Sequence, residues 1–273
     1  MSIWIILIAL LALLAFLTHP SLRYGRMKRW RGERFAHRGL HGPATGRVEN
    51  TLPAFEAARD AGYGMELDIQ FSRDFQVVVF HDDDLQRLCG DPRKVCQLTL
   101  NELRALRPAG GDATIPTLKE VLDAVDGRVP LLIELKNGAN NARLCRALME
   151  LVKDYRGEYI VESFNPLIVM WFRLHARHIV RGQLVDALPS YMPTVDPVSG
   201  FFMAGLLLNF LSRPDFVAYN AAAPRFFSPH FQRFMFRTPM AAWTVRRESI
   251  ARLVSHRQEM PIFEQARLQA RGA

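Results

Sequence analysis

The chain has 273 residues, 49% of them hydrophobic and 23% charged, so it can bury a full core, as one αβ barrel or as two smaller domains. A formal net charge of +8 and a pI near 9.8 favour acidic partners: nucleic acid, anionic lipid or a phosphorylated small molecule. The basic residues form no single nucleic-acid patch, which argues against the first of these; several fall between Arg23 and Arg34, where a membrane surface is the natural partner. Cys89, Cys96 and Cys145 are odd in number and lack metal-ligand spacing, so they read as reduced structural thiols in a cytosol-facing domain.

Ile3 to Leu17 carries no charge and is almost wholly Ile, Leu, Ala, Trp and Phe. As a helix it spans roughly 25 Å, slightly less than a hydrocarbon core of about 30 Å. No Lys or Arg precedes it, and Thr18-His19-Pro20 is a poor cleavage site. The sequence therefore predicts a single-pass transmembrane anchor over residues 1–20 rather than a cleaved signal peptide; a helix lying on the membrane surface is the lesser reading. Arg23, Arg26, Lys28, Arg29, Arg31 and Arg34 follow, so residues 21–32 read as a basic juxtamembrane linker. The positive-inside bias then sets residues 33–273 on the cytoplasmic side of the cell membrane.

After the linker, strands and helices alternate. Phe35-Ala36 reads as a short strand leading into His37. Thr51 to Ala61 reads as a helix, with Thr51 as cap, Pro53 in the first turn, and Gly62 and Gly64 ending it. Met65 to Phe71 and Gln76 to Phe80 read as strands too close for a crossover helix, hence a hairpin turning near Arg73-Asp74. That register sets His81 roughly opposite Glu66. Thr99 to Leu106 and Thr117 to Val125 read as helices, the first with a Thr99/Glu102 capping box. Then come a strand over Pro130 to Lys136, a helix over Asn141 to Tyr155, a strand over Glu158 to Glu162, a helix over Pro166 to His175 and a strand over Ile179 to Leu184. Asp215 to Tyr219, Ala241 to Val245 and Pro261 to Glu264 read as three further strands. No composition break marks a second domain, so the expected fold is α/β: a single, somewhat irregular (β/α)8 TIM barrel behind the N-terminal transmembrane helix.

Asp186 to Arg213 breaks the rhythm, with Pro189, Pro193, Pro197 and the apolar run Phe201 to Leu211. It is too long for an ordinary βα loop and too short to span a bilayer. It reads either as a helix covering the barrel or as an active-site lid touching the membrane.

Glu66 and Asp68 are two apart on a strand, so both side chains share a face. If that face is the barrel interior, two carboxylates repel unless a cation lies between them. Glu134 ends another strand in the same apolar setting, and three converging carboxylates suit a hard divalent ion, Mg²⁺ or Ca²⁺, rather than zinc. The plain alternative is that each acid pairs with a basic neighbour. His37 and His81 can act as general acid and base, whereas His41, His175 and His178 read as ordinary core or surface histidines. Arg38 and Lys136 supply fixed positive charge of the kind phosphate oxygens prefer. A cation, two histidines and an Arg/Lys pair describe phosphodiester cleavage, and the absence of a Gly-rich phosphate loop speaks against nucleotide phosphoryl transfer.

His37-Arg38-Gly39, Glu49-Asn50-Thr51-Leu-Pro-Ala-Phe55, Glu66-Leu-Asp68, Val-Val-Phe-His81-Asp82, Ile115-Pro-Thr-Leu118, Ile133-Glu134-Leu-Lys136, Ser163-Phe164 and Trp243-Thr244-Val245 follow one another over nearly the whole chain outside the anchor. In this order they resemble the glycerophosphodiester phosphodiesterase family. The resemblance implies a barrel like that of phosphatidylinositol phospholipase C, with a divalent metal on Glu66, Asp68 and Glu134. It also implies acid–base catalysis by His37 and His81 and phosphate binding by Arg38 and Lys136. Glu49 looks like a further member of the metal or support shell, and Trp243 either packs on the glycerol moiety or fills the core. Three features depart from the family pattern: the segment Leu40 to Val48 is about three residues longer than in many relatives, Val48 stands where a proline is common, and the closing strand reads Met-Pro-Ile-Phe-Glu264 instead of a glycine- and aspartate-rich one.

The resemblance implies metal-dependent hydrolysis of glycerophosphodiesters to glycerol 3-phosphate and an alcohol. The alternative keeps the site but takes lysophospholipids, as a lysophospholipase D would. A catalytically silent, membrane-tethered binding module is the reading from another class.

Overall fold

Eleven strands occur among the residues described by the computed structural model, which are 3–191, 195–223 and 226–264. They are β1 Phe35–Ala36, β2 Gly64–Phe71, β3 Val77–Val79, β4 Asp84–Leu85, β5 Asp91–Lys94, β6 Leu131–Leu135, β7 Tyr159–Ser163, β8 Arg181–Val185, β9 Phe216–Asn220, β10 Met240–Val245 and β11 Met260–Phe263. β1, β2, β6, β7, β8, β9, β10 and β11 pair in that order, all parallel, and β1 bonds to both β11 and β2, which closes the ring. The (β/α)8 barrel is therefore present. Its irregularity lies between β2 and β6, where the hairpin strand β3 and the small β4–β5 ribbon precede the crossover helix Leu118–Val125.

Side-chain caps account for several helix starts. Thr99 and Thr117 each accept from the third residue of their helix, while Glu102 and Glu120 reach back to the cap, completing two capping boxes. Asn165 caps Pro166–His175 through Leu167 N. Thr51 departs from expectation: it stands at the N-cap of Leu52–Asp60, but its hydroxyl donates to Val48 O at 2.7 Å instead of capping.

The hairpin turns as expected, with Ser72 N donating to Gln76 O, but its register is shifted. Ile69 pairs with Val79, and Phe80 N donates to Asp68 O, so His81 is not opposite Glu66. Its positive field falls instead on Asp68 and Glu134.

Strand alternation divides the barrel. Met65, Leu67 and Ile69 point outward and pack with Phe55, Val121 and Leu122 of the surrounding helices. The interior floor is apolar: Phe35, Leu132, Ile160, Phe216, Met260 and Ile262. Gly182 belongs to this floor by necessity, because a Cβ there would lie 2.2 Å from the Phe216 ring.

The N-terminal segment differs from its sequence reading in two ways. The apolar helix runs over Ile3–Thr18, and among the described residues no helix is long and apolar enough to cross a membrane. It stops because Thr18 Oγ1 bonds Leu14 O and because Asn209 and Gln232 draw the Thr18 carbonyl to the barrel wall, just ahead of Pro20. The helix nonetheless exposes apolar side chains along its length, among them Trp4 at 70%, Ile8 at 67% and Phe16 at 55%. The expected linker, residues 21–32, is folded against the barrel: Tyr24–Trp30 is a 3₁₀ turn whose Met27 and Trp30 complete the floor. Its cations are partly spent on protein partners, Arg23 and Arg26 on Asp215 and Arg29 on Glu33 and Glu158.

The Asp186–Arg213 insertion forms short helices, Pro197–Ala204 and Asn209–Ser212, that pack on the outer wall through Leu206, beside Val185, Val217 and Met240. This is the covering role; Phe201 and Phe202 remain exposed.

Asp215, with no exposed side-chain surface, faces Arg181 at 3.5 Å and accepts from Ser21 Oγ at 2.6 Å. Burial lowers the Arg181 guanidinium to about 10 against the pull of Asp215. Asp215→Ala would leave that cation buried without its carboxylate, and urea unfolding should read a loss of about 3–5 kcal/mol. A loss below about 1 kcal/mol would show the pair to be dispensable.

Candidate active site

The C-terminal ends of the barrel strands surround a cavity of about 540 Å³, lined by His37, Arg38, Glu49, Glu66, His81, Glu134 and Trp243 among others. Asp68 is fully buried. Lys136 stands just past β6, its Nζ 2.9 Å from Glu134 Oε1 and 3.5 Å from Asp68 Oδ1. All nine residues predicted from the sequence are thus brought to one end of the barrel. A cavity of about 420 Å³ at the other end, lined by Trp30, Arg233 and Glu259, holds none of them.

The His37-Arg38-Gly39 turn explains its own composition. Arg38 adopts φ 56° and Gly39 φ 83°, and a Cβ on Gly39 would meet Ala54 at 2.8–2.9 Å. The turn aims Arg38 N at Glu66 Oε2, 2.9 Å away, while the Arg38 side chain bonds Glu49 at 2.7 Å and approaches Asp68 at 3.6 Å. Glu49 is held by Arg38 and Arg87 together, which suits a support role; it lies outside the tight acid trio.

That trio is Glu66, Asp68 and Glu134, all buried, with one oxygen from each within 4.8 Å of the others. Parallel pairing of β2 with β6 sets Asp68 level with Glu134. Burial and the neighbouring Asp68 charge push Glu66 well above the usual carboxylate range. Burial raises Glu134 too, against the pull of Lys136. Burial also opposes ionisation of Asp68, but His81, Lys136 and Arg38 outweigh it and hold this carboxyl well below its ordinary value. Asp68 Oδ1 accepts no hydrogen bond from the described residues. An all-oxygen trio with an unsatisfied buried acceptor fits a hard divalent cation.

Each catalytic candidate imidazole has one nitrogen on a carboxylate. His37 Nδ1 lies 2.6 Å from Glu264 Oε1, and His81 Nδ1 lies 2.6 Å from Asp82 Oδ1. Arg246 and Arg87 hold those two carboxylates in turn. Burial lowers the His37 pKa despite Glu264. Nε2 of His37 is 3.9 Å from Glu66, within the cavity.

Several residues here escaped the sequence reading. Glu264 entered it only as a departure from the family pattern, yet its place two residues after Ile262 gives it the inward parity of the floor. Glu162 is level with Glu134 across the β6–β7 pairing, a relation visible only once the strands are aligned. Asn50 donates to Asp68 Oδ2 at 2.9 Å, and His41, read as an ordinary histidine, lines the cavity rim. Trp243 forms a T-shaped pair with Phe164 at 5.7 Å, lines the cavity and packs against the apolar floor, so it belongs to both.

Residues 37–268 match the family model described as the glycerophosphoryl diester phosphodiesterase family. The chain belongs to this family. Among relatives, it is 36% identical over 158 residues to lysophospholipase D GDPD1 of Mus musculus, covering 53% of this chain and 48% of that one. It is 31% identical over 188 residues to human glycerophosphodiester phosphodiesterase 1, covering 64% and 56%. The chain spans about half the length of the curated relatives it matches. In fold it is similar to an Oleispira antarctica phosphodiesterase solved in complex with the product sn-glycerol-3-phosphate, with a TM-score of 0.70 at 23% identity over 86% of this chain and 94% of that one. A glycerophosphodiester phosphodiesterase from Thermotoga maritima superposes with a TM-score of 0.63 at 28% identity, covering 85% and 93%.

For this family member the acid trio sets a pH test. Glu66 and Glu134, their pKa values raised, retain protons in the folded protein at pH values where free glutamate has lost them. A cation entering the trio must expel those protons. Adding Mg²⁺ or Ca²⁺ to chelator-treated protein should acidify a weakly buffered solution, and calorimetric affinity should rise with pH, levelling off above the folded-state pKa. Affinity independent of pH, with no proton release, would mean the trio is already ionised.

Proposed function

We propose that this chain is a glycerophosphodiester phosphodiesterase, releasing glycerol 3-phosphate and an alcohol. The observation that carries it is the convergence of two carboxylate-held histidines on one acid trio beside Arg38 and Lys136. Glu66, Asp68 and Glu134 would hold Mg²⁺ or Ca²⁺. The ion, when bound, neutralises charge on a phosphoryl oxygen.

His37, kept neutral by burial, takes the base role at Nε2, since Nδ1 is engaged by Glu264. It accepts the proton of the glycerol hydroxyl whose oxygen bonds to phosphorus. His81, with Nδ1 on Asp82, gives a proton from Nε2 to the departing alcohol oxygen as that P–O bond breaks. Water then opens the cyclic phosphate with the histidine roles reversed; direct attack by water is the shorter route to the same products. Arg38 and Lys136 donate to the phosphate oxygens.

Incubation with sn-glycero-3-phosphocholine should yield glycerol 3-phosphate and choline. His37→Ala or His81→Ala should each lower kcat by about 10²-fold or more. Turnover that survives both a chelator and His37→Ala would sink the mechanism.

The apolar helix Ile3–Thr18 favours a membrane-attached enzyme, with lysophospholipid as the alternative substrate. A helix apolar on every face is stable in lipid, not in water. Phe201 and Phe202 of the wall insertion add exposed rings, and Phe16 meets Phe210 of the same insertion. The basic excess keeps the barrel at the cytoplasmic face of the cell membrane in this reading. The protein should float with phosphatidylcholine–phosphatidylglycerol vesicles, and Leu7→Lys with Leu11→Lys should abolish flotation. A wild-type protein that does not float would remove the membrane from the account, and equal flotation of both proteins would remove this helix as the attachment.

A further inference from the structure

We propose that Glu162 is a specificity residue: its buried carboxyl takes the free terminal hydroxyl of the glycerol moiety. The inference rests on the phosphodiesterase reading above and narrows its substrate class to diesters whose glycerol end is unacylated.

Glu162 is 2% exposed, lines the mouth cavity, and its Oε2 has no hydrogen-bond partner among the described residues. An unpartnered buried carboxyl oxygen is costly unless something supplies the missing donor. The acid trio does not use it, because Glu162 lies outside the set of oxygens that approach within 4.8 Å. Neither cation of the site forms an ion pair with it: Lys136 is engaged by Glu134 and Asp68, and Arg38 by Glu49 and Asp68.

Position suggests the donor. The polar side of the mouth runs from β1 through β2 to β6, carrying His37, Glu66, Asp68 and Glu134. Glu162, on β7, is the next acid along, paired with Glu134 in the strand register. Beyond it the lining turns apolar at Phe164 and Leu184. A phosphorus atom above the trio therefore leaves Glu162 within reach of the substrate's carbon skeleton. A hydroxyl suits a carboxyl in either protonation state, since a carboxyl oxygen accepts in both. Esterifying the terminal oxygen, as in a 1-acyl lysophospholipid, removes the donor and leaves Oε2 unsatisfied.

The test compares three phosphocholine diesters: those of glycerol, of ethylene glycol, and of 1-acylglycerol. The glycol diester keeps the headgroup and the vicinal hydroxyl but lacks the terminal hydroxymethyl group. The wild-type protein should prefer the glycerol diester over both others by at least about tenfold in kcat/KM. Glu162→Leu should bring these preferences to within about threefold, the loss appearing chiefly in KM, while Glu162→Gln, which keeps an acceptor oxygen and the side-chain shape, should retain most of the preference. A Leu variant that falls equally on glycerol and glycol diesters would place Glu162 in support of the trio and overturn the proposal. So would undiminished preference in that variant, or a loss that disappears when choline is replaced by an uncharged propyl group. If Glu162→Leu fails to fold, a Gln variant that loses the preference while melting at the wild-type temperature overturns it too. A wild-type enzyme that releases no glycerol 3-phosphate defeats the phosphodiesterase reading itself, whereas one that hydrolyses glycerol and glycol diesters alike defeats only the role of Glu162.

Discussion

Glu66, Asp68, Glu134 and Glu162 turn into one barrel mouth and are buried there, and burial together with neighbouring negative charge opposes the ionisation of the three glutamates. The rest of the polar architecture distributes positive charge among them. Lys136 lies against Glu134 and Asp68, Arg38 between Glu49 and Asp68, and His81 near enough to act on Asp68. Two fixed cations do not balance four acids, and the surplus falls on the trio whose oxygens come closest. That surplus of buried negative charge is what makes the trio fit a divalent cation, in keeping with the function proposed above.

Such crowding is sustainable only on a rigid frame. The apolar floor, completed by Met27 and Trp30 from outside the barrel, excludes water from below. The pairing of β2 with β6 fixes Asp68 level with Glu134 through backbone hydrogen bonds rather than through the acids themselves. The strands supply the framework that like charges could not hold on their own.

Much of this was legible in the sequence because period and motif pointed the same way. Glu66 and Asp68 two apart announced a shared face, and Thr99 with Glu102 announced a helix start. What escaped notice depends on relations between distant strands. Glu162 gains meaning only beside Glu134, and Glu264 only beside His37, 227 positions away. The hairpin register was misplaced because a turn's length does not fix which ladder bonds survive past Val79. The N-terminal segment hid a long-range relation of another kind: six basic residues follow the apolar helix, and three of them find acids far along the chain or close by, Arg23 and Arg26 on Asp215 and Arg29 on Glu158 and Glu33.

The bond between His37 and Glu264 joins the barrel's first strand to its last. During translation His37, Arg38 and the whole trio leave the ribosome well before β11 exists. A nascent chain can hold the acids and the cations paired with them, yet His37 has no Glu264 to fix its ring. The mouth is thus complete only when the final strand seats beside the first.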